Sequence, residues 1–340
     1  MSPKSMNQSN GLDVLVVGAG PTGLACGIEA GRTGLHPLIV EKGCLVNSIF
    51  SYPANMTFFT TRERLEIGDL PFSSVNVKPT RGEALEYYRC AAQYYKLPVR
   101  FNERVIAIEP EDGRFRVSAE NLSGRQSQYH ARTVIVATGY YDLPNKLGIP
   151  GEDLPKVSHY ALEGHAFYGR KVAVIGGANS AAIASLDLYR HGAEVTIIHW
   201  EPQLSRHIKY WIRPDIENRI KEKSIRACLD CQVTEIAEGL IRVRNAQGQS
   251  FELENDFVFA LTGYHPDIEL LQRAGVQVDP VSYRPACNLK TLETNVPGLY
   301  VAGVVLSGRH TNEIFIENGR FHGRQIMEHV KERLGGKNVV

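Results

Sequence analysis

The chain has 340 residues, enough for two domains with a core each. Its 38 basic and 37 acidic residues nearly cancel, which argues against a nucleic-acid or membrane surface read by charge alone. The polar start, MSPKSMNQSN, and six scattered cysteines point to free thiols in a reducing cytoplasm, and the longest uncharged stretch, residues 43–61, is too polar to span a bilayer.

In chain order, the first pattern is residues 12–41, LDVLVVGAGPTGLACGIEAGRTGLHPLIVE. An apolar run, a small-residue turn, an amphipathic segment and a second apolar run read as strand, helix, strand, with both strands buried and parallel. Gly18, Gly20 and Gly23 form G-x-G-x-x-G: a tight turn, a close approach for pyrophosphate, and close packing of helix on strand. The helix start at Pro21 and Thr22 offers unpaired N–H groups to phosphate. Glu41 follows at about the twenty-residue distance at which a carboxylate accepts ribose hydroxyls.

Residues 171–200, KVAVIGGANSAAIASLDLYRHGAEVTIIHW, repeat the unit without a gap. Gly18 falls on Gly176, Gly20 on Ala178, Gly23 on Ala181 and Glu41 on His199. The turn is Gly176, Gly177, Ala178, Asn179, Ser180. With the acid replaced by His199 and followed by Trp200, Arg206, His207 and Lys209, the second site favours a 2′-phosphate and hence NADPH, although Glu201 lies close by. Two such units in one chain imply two dinucleotides, FAD and a nicotinamide donor, with a hydride passing between them.

Breakers at Pro144, Gly148, Pro150, Gly151 and Pro155 and at residues 263–266 set the expected boundaries. An FAD-binding domain takes 12–145 and 265–340, and an NAD(P)-binding domain takes 146–264. The fold class is α/β, two Rossmann-like domains with one inserted into the other. Residues 314–334 read as one helix, stopped by Gly335 and Gly336, whose start points at the flavin and stabilises its reduced form.

CLDC, residues 228–231, has the spacing of a redox dithiol. It lies in IRACLDCQVTEI, which reads as a strand or a strand entry. Residues three apart on a strand face opposite sides, and no helix start is present to lower a thiol pKa, so the structural reading is preferred. Cys26, Cys90 and Cys287 read as structural; Cys44, beside the ribose acid, is the one cysteine that is a candidate catalytic residue near FAD.

TVIVATGYY (133–141), DFVFALTGYHP (256–266) and GLYVAGV (298–304) resemble the flavin-contacting and crossing segments of two-dinucleotide-binding-domain flavoproteins. GAGPTGL, EKG, SYPANMTFFTTRERLEIGDLPF, GEDLPKVSHY, IGGANSA, IKYWIRP, GYHPD and FIENGRFHG are similar to the bacillithiol-disulfide-reductase-like flavoproteins, relatives of thioredoxin reductase, from about residue 12 to residue 330. The resemblance implies FAD, NADPH, a homodimer or homotetramer, and reduction of a small-molecule disulfide or other electron acceptor. The FAD assignments are Gly18, Gly20, Pro21, Thr22, Gly23, Glu41, Lys42, Asn47, Val105, Ala137, Thr138, Gly139, Tyr140, Gly303, Val304, Ile314 and Phe315. Gly263 joins the NADPH set; no metal is expected.

The chain departs from the family at three places. Where thioredoxin reductases carry Cys-x-x-Cys it has Val157, Ser158, His159 and Tyr160; Val304, not Asp, follows Gly303; Thr22 stands where a glycine-loop cysteine is often found. The expected chemistry is therefore a relay through flavin without a protein dithiol, with His322 or His159 as proton source. Tyr52, Phe58, Phe59 and Tyr140 are candidates to line the ring. The alternatives are a flavin monooxygenase, which wants an F-x-G-x-x-x-H whose Phe-x-Gly is missing, a ferredoxin or flavodoxin reductase, which wants a basic docking face, and a redox sensor without turnover.

Overall fold

The computed structural model describes residues 12–335. MSPKSMNQSN and Gly336 lie outside the described residues. Two compact units emerge, one of residues 12–51, 56–143 and 264–335, the other of 52–55 and 144–263.

The first unit opens with β1 (Leu12–Val17), α1 (Pro21–Arg32), β2 (Pro37–Val40), the short α2 (Asn47–Phe50) and α3 (Arg81–Tyr94). Then come β3 (Val99–Arg100), β4 (Glu103–Glu111), β5 (Arg114–Asn121), β6 (Gln126–Val136) and β7 (Leu143–Pro144). Residues 14–17 are all buried, so β1 has protein on both faces, as a central parallel strand must. The start of α3 is sealed by a capping box, Thr80 accepting from the Glu83 N–H while Glu83 accepts from the Thr80 N–H.

The inserted segment runs β8 (Val157–Ser158), β9 (Lys171–Ile175), α4 (Asn179–Arg190), β10 (Glu194–Ile198), α5 (Arg213–Lys221) and β11 (Arg226–Cys228). It continues through β12 (Cys231–Ile236), β13 (Leu240–Asn245), β14 (Ser250–Glu254) and β15 (Phe257–Ala260). The chain re-enters the first unit at β16 (Tyr264–His265) and completes it with α6 (Ile268–Arg273), β17 (Leu299–Val301), α7 (Ile316–Gly319) and α8 (His322–Gly335).

The two units repeat one topology. The first has parallel strands in the order β3-β2-β1-β6 with β17 also on β6, the second β11-β10-β9-β15-β8. Each carries an antiparallel layer, β4-β5-β6 in one and β12-β13-β14 in the other. β6 serves both layers: its first half pairs with β5, and from Ala131 onward it pairs with β1. Leu15, Val17, Val136 and Val301 pack with Val105 and Phe115 of the antiparallel layer. Ile175, Ile198 and Val258 pack the same way with Val233 and Val243. This is the fold class expected from the duplicated motif.

One expectation is corrected. The helix expected over 314–334 is broken into α7 and α8. The break falls at Arg320 and Phe321, where the Arg320 guanidinium turns away to donate to Glu63 O and Glu66 O at 2.8 and 2.9 Å. The stretch around CLDC ends one strand and enters another: Cys228 ends β11 in the parallel sheet and Cys231 begins β12 in the antiparallel one.

Candidate functional site

The first cradle forms where β1, β2 and β6 end together. Gly18 N–H donates to Val40 O at 2.8 Å and Ala137 N–H to Val17 O at 2.9 Å. Gly18 has φ +104°, and a Cβ there would lie 2.7 Å from Ala137 O, so the turn admits only glycine. A Cβ on Gly23 would overlap Gly18 O, which seats α1 directly on the turn. Gly20, in contrast, faces open space, and no side chain caps the helix that starts at Pro21. The first-turn N–H groups of α1 are left for a ligand.

Glu41 closes the other side. Its two carboxylate oxygens accept from Ala19 N–H at 2.7 Å and Gly43 N–H at 2.9 Å. Burial pushes its pKa up, against the pull of these two donors. Gly43 packs against the Asn47 amide oxygen, and Lys42 pairs with Asp142 at 2.9 Å. The Thr138 hydroxyl is buried without a hydrogen-bond partner beside Gly18. Thr22 is enclosed: a Cβ on Gly303 would meet its hydroxyl at 3.1 Å and one on Gly319 at 2.8 Å. Val304 lies in the 3-10 turn of Gly303–Ser307, Ile314 contacts the Gly319 side of that enclosure, and Phe315 is exposed. Tyr140, next to Gly139, meets Tyr264 edge-on with ring centroids 6.3 Å apart. The Val105 side chain is buried in the cluster with Val40.

The second cradle is built alike within its own unit. Gly176 N–H donates to Ile198 O at 3.0 Å and Leu261 N–H to Ile175 O at 2.8 Å, while a Cβ on Gly176 would lie 2.5 Å from Leu261 O. No side chain at Ala178 caps α4, whose first residues are Asn179 and Ser180. His199 is 3% exposed and its ring lies on Gly177, where a Cβ would overlap it. Its Nε2 is 3.3 Å from Glu201, its Nδ1 is buried without a partner, and Trp200 tilts against it at 4.7 Å. The segment 205–209 folds over the turn. Ser205 N–H donates to Gly177 O at 2.8 Å, the Asn179 amide donates to His207 O at 3.0 Å and accepts from Lys209 N–H at 2.9 Å. Arg206 is exposed on this segment. Gly263 lies just beyond β15, its carbonyl accepting from Asn145 N–H at 2.9 Å.

Ser205 and Asp142 were not legible as site residues, because a backbone donor and a distant ion pair leave no motif. The CLDC stretch did carry a readable signal. His199 N–H donates to Cys228 O, Asp230 N–H to Glu201 O and Cys231 N–H to His199 O, each at 3.0 Å. In the first unit Glu41 N–H donates to Arg100 O, Asn102 N–H to Gly43 O and Glu103 N–H to Glu41 O. Asp230 and Asn102 both have positive φ, 52° and 57°. CLDC is thus the counterpart of Arg100-Phe101-Asn102-Glu103, a turn that clamps the end of the second strand. Burial raises the pKa of both thiols, and both pack in one apolar cluster.

The remaining thiols are no better prepared. Burial pushes Cys26 up to about 12 and raises Cys287. Cys44 is raised by burial and by Glu41, and its thiol donates to Asn47 Oδ1 at 3.5 Å.

The two histidines sit in different units. His159 is held 3.6 Å from Glu152, a carboxylate that also accepts the N–H groups of Leu147 and Gly148. His322 accepts the Gly303 N–H on Nδ1 at 3.0 Å, and burial lowers its pKa to about 4. Burial and the donated Gly303 N–H both favour the neutral ring.

Two glycine turns, each delivering an uncapped helix start to the end of a parallel sheet, define an oxidoreductase that takes two dinucleotides. The chain matches the family model described as pyridine nucleotide-disulphide oxidoreductase over residues 15–303. It is 42% identical over 321 residues to "Bacilliredoxin reductase Bdr" of Bacillus subtilis (strain 168), covering 94% of this chain and 97% of that one. The solved "Bacillithiol Disulfide Reductase Bdr" of Bacillus cereus matches with a TM-score of 0.93 and 42% identity, covering 95% of this chain and 100% of that one. Its Staphylococcus aureus counterpart gives 0.90 and 38%, covering 95% and 98%. The chain belongs to the pyridine nucleotide-disulphide oxidoreductase family. It is an NAD(P)H-dependent flavoprotein oxidoreductase with FAD as its flavin, and the open cradle at Gly20, the partnerless Thr138 hydroxyl and the oriented Glu41 fit that cofactor. No helix among the described residues is long and apolar enough to cross a membrane.

Proposed function

We propose that this enzyme oxidises NADPH and reduces a low-molecular-weight disulfide of the bacillithiol-disulfide kind, with none of its own cysteines in the relay. The observation that carries this reading is the likeness, over 95% of the chain, to the solved bacillithiol disulfide reductase of Bacillus cereus. When bound, FAD accepts a hydride from the nicotinamide and hands the electrons on. Gly18, Gly20, Pro21, Thr22, Gly23 and Glu41 hold FAD: the α1 N–H groups bind pyrophosphate and the free lone pairs of Glu41 accept ribose hydroxyls. Lys42, Asn47 and residues 137–140 and 303–304 complete that site.

The second cradle takes NADPH on Gly176, Ala178, Asn179 and Ser180. His199 stands where a carboxylate would repel a 2′-phosphate, with Arg206 and Lys209 on the adjoining segment. Glu201 faces the His199 ring. The direct route to the acceptor is supported by Thr22 in the glycine loop and by raised pKa values at Cys44, Cys228 and Cys231. The working form is a cytoplasmic homodimer or homotetramer.

An acceptor screen tests this. FAD-loaded protein with NADPH is offered bacillithiol disulfide, other disulfides, quinones and oxygen. Fast turnover with the small disulfide supports the reading; turnover only with quinone or oxygen overturns it. A second reading, a disulfide carried on a small redox protein, is favoured by the Bacillus subtilis relative's name, bacilliredoxin reductase. It predicts no turnover until that protein is added.

A further inference from the structure

In FIENGRFHG, residues 315–323, Gly319, Arg320 and His322 each touch a different part of the first unit. The Asn318 side chain accepts from Phe315 N–H at 2.8 Å and donates to Glu313 O at 3.2 Å. Gly319 makes room for Thr22, and Arg320 binds the carbonyls of Glu63 and Glu66. His322 takes the Gly303 N–H at the end of the strand β17. Gly303 in turn touches Thr22 at the start of α1. The segment gathers the glycine turn, the end of β17 and the loop at 63–66 around His322.

The Gly303 bond fixes the imidazole's chemistry. A backbone N–H only donates, so Nδ1 must be the lone-pair nitrogen and the ring proton resides on Nε2. Among the described residues no group accepts from Nε2. His322 is also the first residue of α8, where the positive end of the helix dipole disfavours an imidazolium. Burial acts in the same direction.

We propose that His322 is a single-tautomer, neutral hydrogen-bond donor, its Nδ1 tied to Gly303 and its Nε2–H serving the flavin. This rests on the reading that the first cradle holds FAD. A fixed neutral donor stabilises the charge that reduction adds to an electron-rich partner and costs no reorganisation when that charge develops. Unlike an acid, it delivers no proton.

Amide isosteres separate the two nitrogens. His322→Gln places an amide nitrogen where Nε2 was and keeps the donor. His322→Asn places Oδ1 where Nδ1 was, keeps the Gly303 bond and loses the donor. His322→Ala loses both. In FAD-loaded protein, His322→Gln holds the midpoint potential near that of the parent. His322→Asn and His322→Ala lower it by about tenfold in the oxidised-to-reduced balance, about 30 mV for a two-electron couple. Nitrogen-15 spectra of labelled histidine show the Nε2–H tautomer unchanged from about pH 5.5 to 8.5. A ring that titrates in that range, an Nδ1–H tautomer, or an unshifted potential in His322→Asn overturns the proposal. Flavin content is read separately by absorbance: protein that binds no FAD defeats the underlying reading, whereas full flavin with an unshifted potential defeats only the role of His322.

Discussion

His199 and Glu41 occupy equivalent places and solve the same local problem differently. Glu41 reaches the Ala19 N–H, which leaves room for the Ala19 side chain; His199 covers Gly177 itself. A methyl group at 177 therefore has to push the ring away. Gly177→Ala is expected to raise the KM for NADPH at least about tenfold, since a displaced ring costs on the order of 1–3 kcal/mol of packing and binding. The FAD content stays at the parent level because the first cradle is untouched; steady-state kinetics and flavin absorbance check both halves. His322 sets a pH dependence. Its folded pKa of about 4 lies below the ordinary 6.5, so the folded state binds the proton less readily than the unfolded chain. Its contribution to stability is complete above pH 6.5 and is lost as the pH falls through about 4. Urea unfolding of the parent across that window should show a loss that His322→Asn lacks.

The turn at CLDC shows how a motif-like spacing arises from an element's job. The end of β10 needs one acceptor and two donors in register, and residues 228–231 supply them as residues 100–103 do for β2. One residue of each turn must adopt a positive φ, and Asp and Asn tolerate it. Asp230→Gly should leave stability unchanged, whereas Asp230→Ala should cost about 1 kcal/mol. Replacing Cys228 and Cys231 with Ala should cost about 1 kcal/mol each from lost packing and should not abolish turnover. Arg320 is the matching device between α7 and α8: its two bonds to carbonyls hold the loop at residues 63–66. Arg320→Ala should lower stability by about 2–3 kcal/mol, measured by thermal or chemical unfolding.

At the scale of the molecule, one architecture is used twice, and its two glycine cradles differ in a few side chains at the strand ends. A variant with all six cysteines replaced should keep rapid flavin reduction by NADPH in stopped-flow traces and keep disulfide turnover within about tenfold. Loss of disulfide turnover with flavin reduction intact would return a cysteine to the relay. NADPH should be preferred over NADH in kcat/KM, and Arg206→Ala with Lys209→Ala should narrow that gap by about tenfold, the worth of a charge-assisted contact to phosphate.

The repeat itself was legible in the chain. Glycine spacing, apolar runs and the distance to Glu41 are local features whose geometry follows from backbone sterics and strand periodicity. The duplicated sheets, the uncapped helix starts and the place of His199 follow from them. The partner of each polar atom was not legible, because it is chosen by residues far away in sequence. Gly303 selects the tautomer of His322 across 19 positions, and Arg320 reaches Glu63 across 257. The turn at CLDC was set the same way, by the backbone of residues 199–201 folding against it. Sequence alone determined which local shapes this chain can take; tertiary structure decided which groups are buried together, and burial with a particular partner sets protonation and hydrogen-bonding roles.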